Sequence, residues 1–184
     1  GPIGVGHGKT GLDFMAASVM PGCRVAALLV PPGLVEQLVA EYLAWSEHFS
    51  VPSIVVPSAG GVPERGWVRP GRPVVHVVSY ARFSRAESTD LLESLAPDLV
   101  VADEAHALRC RDSARTRRAL RYFAAHPSAR LCAWSGTLTA RSVADVAHLA
   151  AFALGDGSPL PLDPAEVAAW ASVLAPSDWP APAG

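Results

Sequence analysis

Short apolar runs alternate along the chain with longer stretches of helical period. Val25 to Val30 (VAALLV) is apolar at every position, the pattern of a strand buried on both faces of a sheet. Leu34-Val35, Leu38-Val39 and Tyr42-Leu43 then recur at i, i+4 and i+8, which predicts an amphipathic helix over 34–49. The segments SIVV (53–56), VVHVVS (74–79), LVVA (99–102) and RLCAW (130–134) predict four further strands. Helices are expected at 88–95 and, rich in arginine, between the last two strands, whereas the Gly- and Pro-rich stretch 57–73 reads as a loop. Near the end, Ser142 and Asp145 form a capping box ahead of VADVAHLAAFAL. Asp163-Pro164 with Glu166 supplies an N-cap, a first-position proline and a first-turn acid. Strands buried on both faces, alternating with helices, define an α/β domain with a parallel sheet and right-handed crossovers.

Length and composition narrow this picture. A chain of 184 residues is one domain's worth of material, and 50% hydrophobic against 17% charged residues gives a real core rather than a disordered tail. A net charge of −2 excludes a polybasic protein that grips DNA by bulk charge. No apolar run reaches the roughly 18 residues that span a bilayer, so a soluble protein with no membrane partner is expected. The three cysteines, Cys23, Cys110 and Cys132, are widely spaced and odd in number, as in a reduced intracellular protein.

The candidate chemistry begins with an asymmetry among the basic residues. Lys9 is the sole lysine; every other basic residue is arginine. It stands in Gly4-Val5-Gly6-His7-Gly8-Lys9-Thr10. Glycines at 4, 6 and 8 let the backbone turn tightly and aim several N–H groups at one point, an anion nest to which a helix starting near Lys9 adds its dipole. Lys9 is placed to reach the β- and γ-phosphates of a nucleotide and the Thr10 hydroxyl to ligate Mg²⁺, with His7 a spacer in the loop. The strict phosphate-loop pattern puts a glycine where Ile3 stands, so the match is to its looser form. Such a loop needs a strand to present it, so native sequence is expected upstream of residue 1. The Pro-rich stretch 176–184 reads as a linker.

A second signal is the apolar strand 99–102, after Asp98, ending in the adjacent acids Asp103 and Glu104, followed by Ala105-His106. Ligands of open parallel sheets bind at the carboxyl ends of the strands, so these acids and the phosphate loop are expected to converge. Asp103 then holds Mg²⁺, and Glu104 orients or deprotonates an attacking water. Lys9, Asp103 and Glu104 are the expected catalytic set.

Together, the looser phosphate loop and the letters DEAH resemble the first RecA-like domain of superfamily 2 helicases and translocases, and most closely those encoded by bacteriophages. The resemblance covers nearly the whole chain. Pro31-Pro32-Gly33, after the first predicted strand, resembles a motif that touches the nucleic-acid backbone, and Ser79-Tyr80, by the same resemblance a nucleic-acid contact, resembles the Ser/Thr-Tyr stretch of the Swi/Snf-type branch. Ser135-Gly136-Thr137 resembles the segment that couples nucleotide state to nucleic-acid grip, although Leu138 stands where that branch usually carries proline. The resemblance implies a RecA-like three-layer sandwich over 1–155, followed by a helical extension and Pro-rich linker over 156–184. It implies ATP and Mg²⁺ as cofactors, His106 as the link between the ATP site and 135–137, and DNA or RNA as partner. It further implies a second RecA-like domain elsewhere in the same parent chain, and a place in the cytoplasm of a bacterium or a phage-infected host cell. Helicase activity, double-strand translocation without unwinding, and a phosphate-loop switch or assembly ATPase without nucleic acid all stay open.

Two basic patches have two readings each. Arg111, Arg115 and Arg118, with Arg117 and Arg121 beside them, form either a solvated helix face or a stripe that meets phosphates. The stretch 57–73, carrying Arg65, Trp67, Arg69 and Arg72, is either an ordinary loop or a single-strand contact. His48, His76, His126 and His148 show no metal-ligand spacing.

Overall fold

A computed structural model describes residues 9–58, 64–136 and 142–174. Six strands form one sheet: β1 (Val25–Val30), β2 (Ser53–Val56), β3 (Arg65–Trp67), β4 (Val74–Ser79), β5 (Leu99–Ala102) and β6 (Arg130–Ala133). Their order across the sheet is β3-β2-β4-β1-β5-β6, all parallel except β3, which runs antiparallel to β2 at one edge. The helices are α1 (Lys9–Val19), α2 (Val35–Ser46), α3 (Tyr80–Ser84), α4 (Leu91–Leu95), α5 (Ala114–Ala125), α6 (Ala144–Leu154) and α7 (Pro164–Leu174). The result is a mixed α/β fold with helices on both faces of a mostly parallel sheet, compatible with a three-layer sandwich. Among the described residues no helix is long and apolar enough to cross a membrane.

The alternation of side chains along each strand divides the core in two. Ala26, Leu28 and Val30 of β1, with Val75, Val77, Leu99 and Val101, face α1 and α2. Ala27 and Leu29, with Val78, Val100 and Ala102, face the layer built from α3, α4 and α5. Because β1 is covered on both sides and flanked by β4 and β5, every one of its positions must be apolar, which is why VAALLV reads so plainly. On the first face Phe14 of α1 meets Tyr42 of α2 edge-on at 5.5 Å, and the Tyr42 hydroxyl donates to the Pro52 carbonyl at 2.8 Å.

Three differences from the sequence reading have local causes. The stretch 57–73 holds the short edge strand β3, whose residues are only partly buried and so leave no hydrophobic run to detect. The helix expected over 34–49 is Val35–Ser46, preceded by a 3₁₀ turn over Pro32–Leu34. The helix expected over 88–95 is cut to Leu91–Leu95 and ends at Ala96, whose φ of 46° forms a left-handed cap. The two expected caps near the end are present in part or whole. Ser142 Oγ accepts from the Ala144 N–H at 3.2 Å, and Asp163 Oδ1 accepts from the Ala165 and Glu166 N–H groups at 2.9 and 3.0 Å.

Several arginines of both basic patches are engaged within the fold, while Arg111 and Arg117 are exposed. Arg115 donates to the Ala107 carbonyl at 2.7 Å, Arg118 to the Phe83 carbonyl, and Arg121 to the Thr89 carbonyl and the Glu93 carboxylate, so α5 is stapled to α3, α4 and the turn after β5. Arg65 pairs with Glu36 at 2.6 Å, and Arg69 donates to the Tyr42 hydroxyl at 3.1 Å. Trp67 packs against the α1–α2 core cluster.

Candidate functional site

Parallel pairing of β4, β1, β5 and β6 brings four of the singled-out segments to one edge of the sheet. Pro31 follows β1, Ser79 ends β4, Asp103 and Glu104 follow β5, and Ser135 and Gly136 follow β6. The N-terminus of α1, where Lys9 and Thr10 stand, comes to the same edge, because the Lys9 ammonium donates to the Glu104 carboxylate across 95 residues of chain. Gly4, Gly6, His7, Gly8 and Thr137 lie outside the described residues.

The acid pair is held by its backbone. The Asp103 N–H donates to the Leu29 carbonyl at 2.9 Å, and the Tyr80 hydroxyl donates to the Asp103 carbonyl at 2.8 Å. On the other side the Ala105 N–H donates to the Trp134 carbonyl at 2.7 Å. Between these anchors Glu104 adopts φ 50° and ψ 54°, a left-handed conformation that ends the strand. Its N–H donates to Asp103 Oδ1 at 2.9 Å, so the two carboxylates divide their tasks: one bonds back to the chain, the other meets Lys9.

Glu104 is also the hub of a polar cluster. Its Oε2 lies 3.2 Å from His106 Nδ1 and accepts from the Ser135 hydroxyl at 3.5 Å, while His106 Nδ1 and Ser135 Oγ are 3.3 Å apart. The hydrogen bond from Lys9, reinforced by that charge, holds the Glu104 carboxyl below its usual range, and the same bond raises Lys9. Burial does the opposite to Asp103 and pushes its carboxyl up. Glu104 is therefore anionic and positioned at neutral pH, and Asp103 is a carboxylate that a nearby cation would favour in its charged form.

The donors gathered here are a threonine hydroxyl and carboxylate oxygens, the hard ligands that Mg²⁺ takes. Among the described residues no three His, Cys, Asp or Glu side chains cluster closely enough to hold a metal by themselves.

No protein-family model matches the chain, and no curated protein matches it. The reading of the site stands on its geometry.

The remaining residues singled out in the sequence have distinct places. Pro32 and Gly33 form the exposed 3₁₀ turn between β1 and α2. Ser79 caps α3, its Oγ accepting from the Arg82 N–H at 3.2 Å. Tyr80 is 3% exposed, with its ring in the core and its hydroxyl bonded to Asp103, so its side chain supports the acid pair from beneath.

Two residues that sequence reasoning passed over belong to this region. At Gly11 a Cβ would stand 2.3 Å from the far end of the Trp45 ring, so glycine lets α1 sit against α2 with that ring in place. Asp13 is buried at 1% exposure, and its Oδ1 has no hydrogen-bond partner. A signal for it existed: Asp13 is the sole charged residue between Thr10 and Pro21, in a stretch otherwise apolar or small.

Proposed function

We propose that this chain is the ATP-binding part of a helicase-like motor that couples ATP hydrolysis to movement along DNA or RNA. The observation that carries the reading is the cluster Lys9–Glu104–Ser135–His106, in which the residue expected to bind phosphate, the residue expected to act on water, and the segment after β6 meet at one sheet edge. In this reading the N-terminus of α1 and Lys9 receive the ATP phosphates, and Thr10 and Asp103 hold the Mg²⁺ that neutralises them. Glu104 orients the attacking water and accepts its proton. Ser135, which shares Glu104 with Lys9, registers the change and passes it to 135–137 and thence to a bound strand.

Arginines that stabilise the transferring phosphoryl group come, in this reading, from a second RecA-like domain of the parent chain. The isolated 184 residues then bind ATP weakly and turn it over hardly at all. The near-neutral charge is compatible with a motor, since such a protein meets few phosphates per domain, through loops and helix ends as much as through arginine. Here Arg115, Arg118 and Arg121 are already engaged within the fold.

The test is ATP hydrolysis by the parent protein with and without single- and double-stranded DNA and RNA. Stimulation by one polymer supports the motor and names its track; strand separation distinguishes a helicase from a double-strand translocase. Hydrolysis indifferent to every polymer moves the protein to a phosphate-loop switch or assembly ATPase.

A further inference from the structure

Asp13 is the buried polar group that the reading above leaves without a task. It follows Lys9 by four residues and Thr10 by three, so the helical period sets it on the same face of α1 as both. That face is turned to the sheet, for Phe14 and Ala17 beside it are buried too. An apolar side chain would suit this packing, yet the position carries a carboxyl that is 1% exposed, with Oδ1 unbonded. A buried oxygen without a partner is unfavourable, so a group that satisfies it stabilises the site. The charges acting on Asp13 are those of Asp103, Lys9 and Glu104 at the sheet edge, and Glu41 on α2. Asp13 is within electrostatic reach of Asp103, and a cation near two such acids is favoured over their bare charges.

We propose that Asp13 is a positioning residue of the cation site: acting through water, it steadies the divalent cation that accompanies the nucleotide phosphates, and so sets how strongly nucleotide binding depends on that cation. The inference rests on the nucleotide reading above. Residues that orient a metal's ligands are commonly worth about ten- to a hundredfold in metal affinity.

The test is the binding of an ATP carrying a ribose fluorophore, titrated with MgCl₂ from a baseline in EDTA, on the 184-residue chain and its Asp13→Asn and Asp13→Leu variants. Leucine matches the apolar neighbours and guards against a packing defect in the asparagine variant. The expected result is unchanged binding in EDTA, with the Mg²⁺ concentration for half-maximal effect raised about ten- to a hundredfold in both variants. An unchanged Mg²⁺ dependence overturns the inference and leaves the nucleotide reading intact. So does affinity that falls equally with and without Mg²⁺, which marks a packing role. A folded parent chain that binds the probe under neither condition overturns the nucleotide reading, and this inference with it.

Discussion

Lys9, at the first turn of α1, donates to the carboxylate of Glu104, the residue that ends β5 in a left-handed conformation. The contact joins the two strongest chemical signals of the sequence, and it sets them in competition. In the proposed nucleotide reading, a phosphate arriving at the α1 N-terminus and Glu104 would both require the same ammonium. Glu104→Gln removes the charge that holds Lys9 while keeping the shape of the side chain. The expected outcome is nucleotide binding equal to or tighter than that of the parent, with turnover in the full-length protein lowered by about 10²–10⁴-fold. Lys9→Ala is expected to abolish binding of the same nucleotide. Titration of a fluorescent ATP and a steady-state phosphate-release assay check the pair; weaker binding by Glu104→Gln would refute the competition.

Tyr80→Phe tests whether this residue serves the acid pair or a nucleic acid. Its ring is buried and its hydroxyl donates to the Asp103 carbonyl at 2.8 Å. Removing the donor leaves a buried carbonyl unpaired, at a cost of about 1–3 kcal/mol. Urea denaturation is expected to show that loss, while binding of DNA or RNA by the parent protein stays within about twofold, less than the 1.4 kcal/mol that a tenfold change represents. A large loss of polymer binding with unaltered stability would return Tyr80 to the nucleic-acid surface.

Gly11→Ala tests the seat of α1. The added methyl would stand 2.3 Å from a carbon of the Trp45 ring, well inside van der Waals contact. Trp45 packs half-buried at the edge of the α1–α2 cluster beside the exposed Phe49, whose ring centroid lies 5.1 Å away, so the methyl must displace the far end of the Trp45 ring. Overpacking of this kind typically costs about 1–3 kcal/mol. Alanine's better helix propensity, worth about 1 kcal/mol, opposes it only in part. The expected net result is a lower melting temperature together with weaker nucleotide binding, because Lys9 and Thr10 move with the helix.

What the sequence made legible follows from how many constraints act on each residue. Val25 to Val30 is covered on both faces and could hardly be anything but apolar, so β1 and its neighbours were readable at once. Asp103 and Glu104 were readable because two acids directly after an apolar strand break its pattern. Arg65 to Trp67 escaped because an edge strand is exposed on one side and needs no hydrophobic run. The arginines of α5 could not be sorted from sequence, since a side chain donating to the Phe83 or Ala107 carbonyl leaves no trace in the spacing of Arg115 and Arg118. The resemblance of Ser79-Tyr80 to a motif says nothing of burial, and the place of the Tyr80 ring in the core, its hydroxyl on the Asp103 carbonyl, is a tertiary property. The cluster around Glu104 was foreseen as a meeting of segments but not as a shared carboxylate, because the left-handed turn that aims it is a tertiary property.

Ala96 closes α4 with φ 46° and ψ 54°, its N–H donating to the Leu92 carbonyl at 2.8 Å. The left-handed conformation costs an alanine roughly 1 kcal/mol relative to glycine. Ala96→Gly is therefore expected to stabilise the chain by about 0.5–1 kcal/mol, since part of the gain is offset by the greater freedom of glycine in the unfolded state. Paired denaturation curves of the parent and this variant decide it, and a destabilised variant would place Ala96 outside the left-handed region.

The last expectation concerns pH. Burial, with the charge of Asp103 second, pushes the Asp13 carboxyl up to about 8 from an ordinary value of 3.8. The folded chain therefore holds a proton there that the unfolded chain releases, between about pH 4 and pH 8. By linkage, this group's contribution to stability is greatest below the unfolded value, declines as pH rises through the window, and levels off above pH 8. Asp13→Asn cannot titrate and lacks that slope. In EDTA and without nucleotide, the stability of the variant relative to the parent is expected to climb from pH 4 to pH 8 by on the order of a few kcal/mol. Asp98, whose carboxyl is held below its usual range by the Arg24 and Val25 N–H groups, contributes a slope of opposite sign at acid pH that is common to both proteins and cancels in the difference. A difference that is flat across the window would mean that Asp13 is charged in the folded chain and already has a partner for its negative charge.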